Sequence, residues 1–407
     1  FLAFSPLLVS ANSSYFYHPM LPHTLLTADA QAELALFTDA LERFCDTEIE
    51  PHYRAWEKAG IVPRELFLKM GDNGYLCADV PEQYGGSGAN VHFSFAVIEV
   101  LARRGYGGLV GGLEVHSDII PPYLLHCGTE AQRQHWLPRL VSGAAIAAIG
   151  MTEPGAGSDL KAIRTTARKE GDGYVINGSK IFISNGQHCD LIVLAAKTDP
   201  AAGAKGVSLF LVDTKSPGFT RGQNLEKIGQ HAGDTSELFF NDLRVPADAL
   251  LGGIEGQGFT QMMRELPRER LVIGVQSVYG AQGALNATLR YVQERQAFGQ
   301  PLAQFQNTRF TLAQCATEVA AAQAFLHASI AAYERGQLTP EAASALKLHT
   351  TEMFGRVADA CLQLFGGYGY MAEYPISRFW TDARVMRIYG GTSEIMKEIV
   401  ARGLLKP

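Results

Sequence analysis

Residues 164–178 read RTTARKEGDGYVING. A polar and β-branched run ends at Glu170, Gly171-Asp172-Gly173 supplies a tight turn, and Tyr174, Val175 and Ile176 open a second run. The pattern is strand, turn, strand. The same texture continues outward through KIFISN (180–185), DLIVLAAKT (190–198), GVSLFLVDT (206–214) and TSELFFNDLRV (235–245). Short β-branched and aromatic runs at regular spacing, with no helical patch between them, predict a barrel or sandwich over 146–255.

On both sides of this block the period changes. Leu34, Phe37, Leu41 and Phe44 recur at spacings of three and four, which is the helical signature, and Pro51 is expected to kink or end that helix. PEQYGGSG (81–88) reads as a glycine-rich loop before another helical stretch near 90–104. From about 256 the helical pattern returns. Residues 304–335 and 340–365 form long alanine-rich segments, parted by GQLTP, where Thr339 can cap and Pro340 takes the first helical position. The predicted fold class is α+β and multidomain. An N-terminal α-helical domain (20–145) precedes a central β-barrel or sandwich (146–255) and a C-terminal domain like a four-helix bundle (256–407). Residues 1–19 read as an extension before a natural start at Met20, since they lack the basic residues of a signal or transit peptide.

Composition removes several classes of function. With 47% hydrophobic and 19% charged residues the chain is globular rather than disordered. A net charge of −6 without clustered Lys and Arg gives no nucleic-acid footprint. The six cysteines form no C-x-x-C pair and read as reduced thiols, and the eleven histidines form no ligand cluster, so no metal is expected. No apolar run reaches the roughly 18 residues of a membrane span. A cytoplasmic, bacterial enzyme is the expectation. GAGSDL (155–160) lacks the third glycine of a dinucleotide fingerprint, GYVINGSK (173–180) has its hydroxyl before the lysine, and no G-x-S-x-G elbow occurs.

RIYGGTSEIM (387–396) poses the sharper question. Thr392 or Ser393 can cap a helix with Glu394 in its first turn, and Gly390 and Gly391 precede it. The pair serves either a plain turn or a site where a bound group lies against bare backbone.

Two strings, GMTEPGAGSDLKA (150–162) and QLFGGYGYMAEYPISRFWTD (363–382), resemble the paired signatures of the acyl-CoA dehydrogenase family. The resemblance runs from about Thr27 to Lys406. Within the family the chain is most similar to the long-chain branch, through VHSDI (115–119), ELPRERL (265–271) and IYGGTSEIMKEIVAR (388–402). It implies FAD as cofactor, an acyl-CoA substrate, electron-transferring flavoprotein as partner, and a homotetramer built as a dimer of dimers. It also implies the cofactor residues. Met151, Thr152, Gly157 and Ser158 should line the flavin, with Ser158 between cofactor and substrate. Phe182, Ile183 and Ser184 should back the ring. Arg295 and Gln306 should reach the FAD of a neighbouring subunit, and Phe298 is a further expected cofactor residue. Gln363, Leu364, Phe365, Gly366 and Gly367 should cradle the adenylate half, and Thr392, Ser393 and Glu394 should make the last contact.

Many relatives carry a glutamate base at the position of Gly390. The long-chain and isovaleryl-type branches instead place it in a helical Glu-Arg pair, which here is Glu269-Arg270. The resemblance therefore implies Glu269 as the catalytic base, with Gly390 offering a backbone N–H to the thioester oxygen and Arg270 and Gly391 beside the substrate. Periodicity places Glu269 and Arg270 on opposite borders of the stripe Phe259, Met262, Leu266, Ile273 and does not choose between them. With Arg264, Arg268 and Arg270 around it, Glu269 also fits a solvated surface ion pair. His116 and Asp118 fit either the acyl cavity or packing and capping. Glu153 and Asp159 read as loop-fixing, and Tyr368 and Tyr370 as packed. Three functions stay open beside medium- or long-chain dehydrogenation. They are an acyl-CoA oxidase or monooxygenase-like relative, a short branched-chain (isovaleryl- or citronellyl-type) dehydrogenase, and a non-enzymatic scaffold.

Overall fold

The structure is a computed structural model that describes residues 26–405; the expected extension 1–19 and the start at Met20 lie outside these residues. Seven helices come first: α1 (Ala28–Phe44), α2 (Glu50–Ala59), α3 (Arg64–Asp72), α4 (Val91–Arg103), α5 (Gly107–Leu113), α6 (Ile120–Cys127) and α7 (Glu130–Val141). Thr27, Asn90 and Thr129 cap α1, α4 and α7 through side-chain oxygens, each satisfying a backbone N–H that the first turn leaves free.

Prolines shape two of these junctions. A wide π turn, Cys45–Ile49, joins α1 to α2, and Pro51 sits in the first turn that follows. A second π turn, Glu114–Ile119, leads into α6 with Pro121 and Pro122 in its first turn. Proline lacks an N–H and its ring collides with the carbonyl four residues back; widening the preceding turn moves that carbonyl away. The chain thus stays helical across Pro51 instead of ending there.

The central block is one curled seven-stranded sheet: β1 (Ala147–Gly150), β2 (Thr166–Glu170), β3 (Gly173–Ser184), β4 (Leu191–Lys197), β5 (Val207–Asp213), β6 (Phe219–Asn224) and β7 (Thr235–Pro246), in the order β1-β4-β2-β3-β7-β6 with β5 on β4. β2 and β3 form the hairpin read from the sequence, Thr166 facing Asn177 and Glu170 facing Gly173. The β3–β7 ladder breaks register between Lys180 and Ile183, a bulge that bends the strand.

Helices return with α8 (Gly258–Glu294), a short hairpin β8 (Gln296–Ala297) and β9 (Gln300–Pro301), then α9 (Gln306–Glu334), α10 (Pro340–Phe365), α11 (Pro375–Met386) and α12 (Ser393–Leu404). Thr339 caps α10 and Pro340 opens it. Helix α8 packs against α4, α9, α10 and α11, and one apolar core runs through both helical regions, while a second core fills the curl of the sheet. Among the described residues no helix is long and apolar enough to cross a membrane, and no group of three His, Cys, Asp or Glu could hold a metal.

Because α8 is enclosed, its charged residues need internal partners. Arg268 donates to Asp79 Oδ2 at 2.6 Å, Asp118 Oδ1 at 3.3 Å and Tyr333 Oη at 3.1 Å, tying α8 to the loop after α3, to the second π turn and to α9. Asp118 also accepts from Ser94 at 2.6 Å, and burial, opposed by Arg268, lifts its carboxyl to about 6. Breaking such a cluster strands buried carboxylates. Arg268→Met should lose about 3–5 kcal/mol of stability at neutral pH. The deficit should shrink as pH falls, since the folded variant then binds a proton at Asp118 that the unfolded chain binds only at lower pH. Chemical denaturation at two pH values checks both.

Candidate active site

Glu269 sits in the enclosed part of α8, 8% exposed. None of the neighbouring arginines pairs with it. Arg268 is committed as above, Arg264 leans on Glu265 at 3.5 Å, and Arg270 donates to Ser344 Oγ at 3.1 Å. Its hydrogen bond comes from another helix: Tyr123 Oη of α6 donates to Glu269 Oε1 at 2.9 Å. Burial pushes the carboxyl up to about 7, against the Tyr123 bond and the Arg270 charge, while Glu265 adds to the rise. The surface ion-pair reading is thereby excluded. A carboxyl balanced near neutrality in a dry setting is suited to taking and releasing a proton.

One turn on, Ile273 packs against the Gly390–Gly391 loop. Gly390 has φ +63°, and a Cβ there would meet Ile273 Cδ1 at 2.3 Å. The room beside Gly390 is thus taken by Ile273. From α10, Lys347 is fully buried and donates to the Gly391 carbonyl at 2.6 Å. Burial, then the Arg270 charge, lower its ammonium to about 8, with Glu352 and Glu394 opposing. Thr392 rather than Ser393 caps α12, accepting from Ile395 N at 3.3 Å. Ser393 donates instead to Glu352 Oε1 at 2.7 Å, and Glu394 is exposed in the first turn.

The expected cofactor residues gather in three places. In the first, Met151 to Glu153 are laced to β3: Ile181 N donates to Thr152 O at 3.0 Å, and Lys180 Nζ donates to Met151 O at 3.0 Å and to Glu153 Oε1 at 2.8 Å. Glu153 also accepts from the backbones of Arg164 and Thr165, so it fixes the loop as read; Asp159 likewise holds Lys161 N. Gly157 and Ser158 lie exposed on this loop. At the β3 bulge Phe182 takes φ +61° and is 64% exposed, an outward aromatic in a conformation non-glycine residues avoid. Ser184 is half-buried, whereas the Ile183 side chain is buried in the sheet core and leaves its backbone for any ligand.

The second place is a cleft of about 540 Å³ lined by Tyr291, Arg295, Leu302, Gln363 to Tyr368 and Met371. Phe365 stacks on Tyr291, ring centroids 4.0 Å apart. Gly366 ends α10 at φ +57°, and a Cβ on Gly366 or Gly367 would meet no atom within 4 Å, so bare backbone faces open space. Arg295 lies 5.2 Å over Tyr368. A guanidinium beside bare peptide backbone and aromatic walls fits a dinucleotide's phosphates and rings. Phe298 (96% exposed) and Gln306 project nearby from the β8–β9 turn and the start of α9. The third place is the Thr392–Glu394 turn. Among the described residues no hydrogen bond joins the first two groups.

Several readings change. Tyr370 is 84% exposed and not packed, whereas Tyr368, 40% exposed, packs under Arg295 and against Tyr374, ring centroids 5.1 Å apart. His116 is buried, contacts Leu140 O and accepts from Ala147 N, and burial lowers its pKa to about 4; with Asp118 it belongs to packing. Tyr123, Ile273, Ser344 and Lys347 are the participants the sequence analysis missed. Their one visible signal is a polar group within an apolar helical run, which for Ile273 does not exist.

Residues 31–144, 148–243 and 256–405 match the N-terminal, middle and C-terminal domains of acyl-CoA dehydrogenase. The chain is 43% identical to the mitochondrial long-chain specific acyl-CoA dehydrogenase of Sus scrofa over 377 residues, 92% of this chain and 87% of that protein. It superposes on an acyl-CoA dehydrogenase from Geobacillus kaustophilus with a TM-score of 0.91 at 46% identity, covering 95% of this chain and 100% of that one. A glutaryl-CoA dehydrogenase from Mycobacterium smegmatis, solved with FADH2, matches at a TM-score of 0.86 and 30% identity over 93% of this chain and 95% of that one. The chain belongs to the acyl-CoA dehydrogenase family, FAD-dependent oxidoreductases.

The Gly390–Ile273 contact is open to a direct check. Gly390→Ala should cost about 2 kcal/mol or more, from the left-handed backbone and from overlap with Ile273. Ile273→Val removes the colliding methyl, so the double variant should cost less than the sum of the singles. A double-mutant denaturation cycle measures this.

Proposed function

We propose that the chain carries out FAD-dependent α,β-dehydrogenation of a fatty acyl-CoA of medium, long or branched chain, giving the trans-2-enoyl-CoA, with electron-transferring flavoprotein as acceptor. The observation that carries the reading is Glu269, a buried carboxyl balanced at about 7 with no cation paired to it, on the face of α8 that reaches the Gly390 loop through Ile273. Glu269 takes the α-proton. Its pKa near ambient pH makes it both a competent base and an acid able to release the proton afterwards. The Gly390 N–H polarises the thioester oxygen, and Lys347, fixed to the Gly391 carbonyl, holds that loop in place and adds positive charge where the enolate develops. FAD, when bound, supplies the acceptor for the hydride leaving the β-carbon.

Met151, Thr152, Gly157, Ser158 and the bulge residues Phe182–Ser184 would hold the ring system. Gln363–Gly367 would cradle the adenylate half and Thr392–Glu394 make the last contact. Arg295 and Gln306 would serve the FAD of a neighbouring subunit in a homotetramer, with Phe298 a further cofactor contact. The six free cysteines agree with a cytoplasmic setting.

Anaerobic mixing of the purified holoenzyme with acyl-CoA thioesters of varied length and branching tests this. One class should rapidly bleach the oxidised flavin. Glu269→Gln should lower the bleaching rate about 10²- to 10⁴-fold with flavin content unchanged. In wild type, kcat/KM should fall on the acid side with a midpoint near the Glu269 value of about 7, because only the carboxylate accepts the proton. No bleaching by any thioester, or a Glu269→Gln enzyme of undiminished rate, would overturn the reading.

A further inference from the structure

Resting on Glu269 as the base, we infer that Tyr123 is a positioning residue: its phenol holds Oε1 of the carboxylate and leaves Oε2 to meet the substrate proton. Tyr123 is fully buried at the centre of α6, and its hydroxyl is 2.9 Å from Oε1. A buried carboxyl on a helix has torsional freedom in its last bond, since that sp³–sp² torsion is broad. A single strong donor on one oxygen removes that freedom and selects which oxygen reacts. The phenol also donates best to the charged form, so it opposes the burial that would otherwise protonate the base at neutral pH.

The other charged and titratable groups around Glu269 leave this task to Tyr123. On α8, Glu265 lies one turn before it and is engaged with His126 Nδ1 of α6 at 3.0 Å; Arg270 is turned to Ser344. Burial first, then the charge and hydrogen bond of Glu269 itself, raise the Tyr123 phenol and keep it protonated; Glu265 and Cys127 add least. Asp118 of the second π turn, Asp79 and Tyr333 of α9 are engaged by Arg268, and Lys347 of α10 by the Gly391 carbonyl. Tyr123 thus reaches the base from a different helix, and α6 is held to that place by the prolines and π turn at its start.

The test is the pH dependence of kcat/KM for the holoenzyme. Tyr123→Phe keeps the ring and removes the donor. The acid limb should move up by about one unit, since a hydrogen bond to a charged group is lost. Activity at pH 7 should fall about fivefold and recover at alkaline pH, where the base is ionised again. A merely structural role would lower activity at every pH and leave the limb in place. Should the variant lose its flavin, 3-fluorotyrosine placed at position 123 alone keeps the shape and strengthens the donor, so the limb must move down. An unmoved limb in either protein, with Glu269→Gln inactive, overturns the role of Tyr123 while leaving the base intact. An active Glu269→Gln overturns the base and with it this inference.

Discussion

The structure depends on the enclosure of α8. Three consecutive charged residues, Arg268, Glu269 and Arg270, lie on the stretch of α8 that its neighbours enclose. At 100° per residue they must leave the axis in three directions, and no direction leads to water. Each therefore meets a different wall: Arg268 the Asp79–Asp118 pair, Glu269 the phenol of Tyr123, Arg270 the hydroxyl of Ser344. The two arginines receive what a buried cation requires to different degrees, carboxylates for one and a hydroxyl for the other. The carboxylate between them receives only one neutral donor. That inequality, not burial alone, produces a base balanced near neutrality.

The same enclosure explains why Arg270 does not neutralise Glu269. A direct ion pair would hold the carboxyl charged and inert far below neutrality, as Lys180 does for Glu153, whose pKa ends lowered although burial alone would raise it. Glu153 and Lys180 form a closed, hydrogen-bonded pair that fixes a loop. Glu269 is a comparably buried acid with a weaker partner. Setting the two side by side separates a carboxylate that holds structure from one able to exchange a proton.

Much of this architecture was legible in the chain. The Gly171–Gly173 turn between two β runs marked the β2–β3 hairpin, though not its register, and Thr339-Pro340 marked the start of α10, because turns and caps are local chemistry. Curling of the β block into one sheet was not legible, since it follows from the branched pairing of β4 with β1, β2 and β5. The site divides the same way. The Glu-Arg pair and the glycines could be marked from motifs, but burial could not, and so a solvated ion pair stayed open. Tyr123 stands 146 residues from Glu269 in sequence, and only tertiary packing brings them into contact. Nor could the sequence show that the space beside Gly390 is filled by Ile273 from α8.

Placing this carboxyl on α8 rather than on the Gly390 loop has a mechanical consequence. A side chain on a loop inherits the loop's mobility, whereas one on an enclosed helix inherits the rigidity of the core. The loop is then free to specialise in backbone contact: Gly390 in a left-handed conformation, the next carbonyl pinned by Lys347, and Ile273 wedged against it from the helix that carries the base. Glu269 and the Gly390 backbone, the proposed proton acceptor and carbonyl-polarising group, are thus registered to each other through a packed methyl group. A packed contact of this kind transmits position and no charge. It keeps the geometry of the pair fixed while leaving the acidity of Glu269 to be set from the other side, by Tyr123.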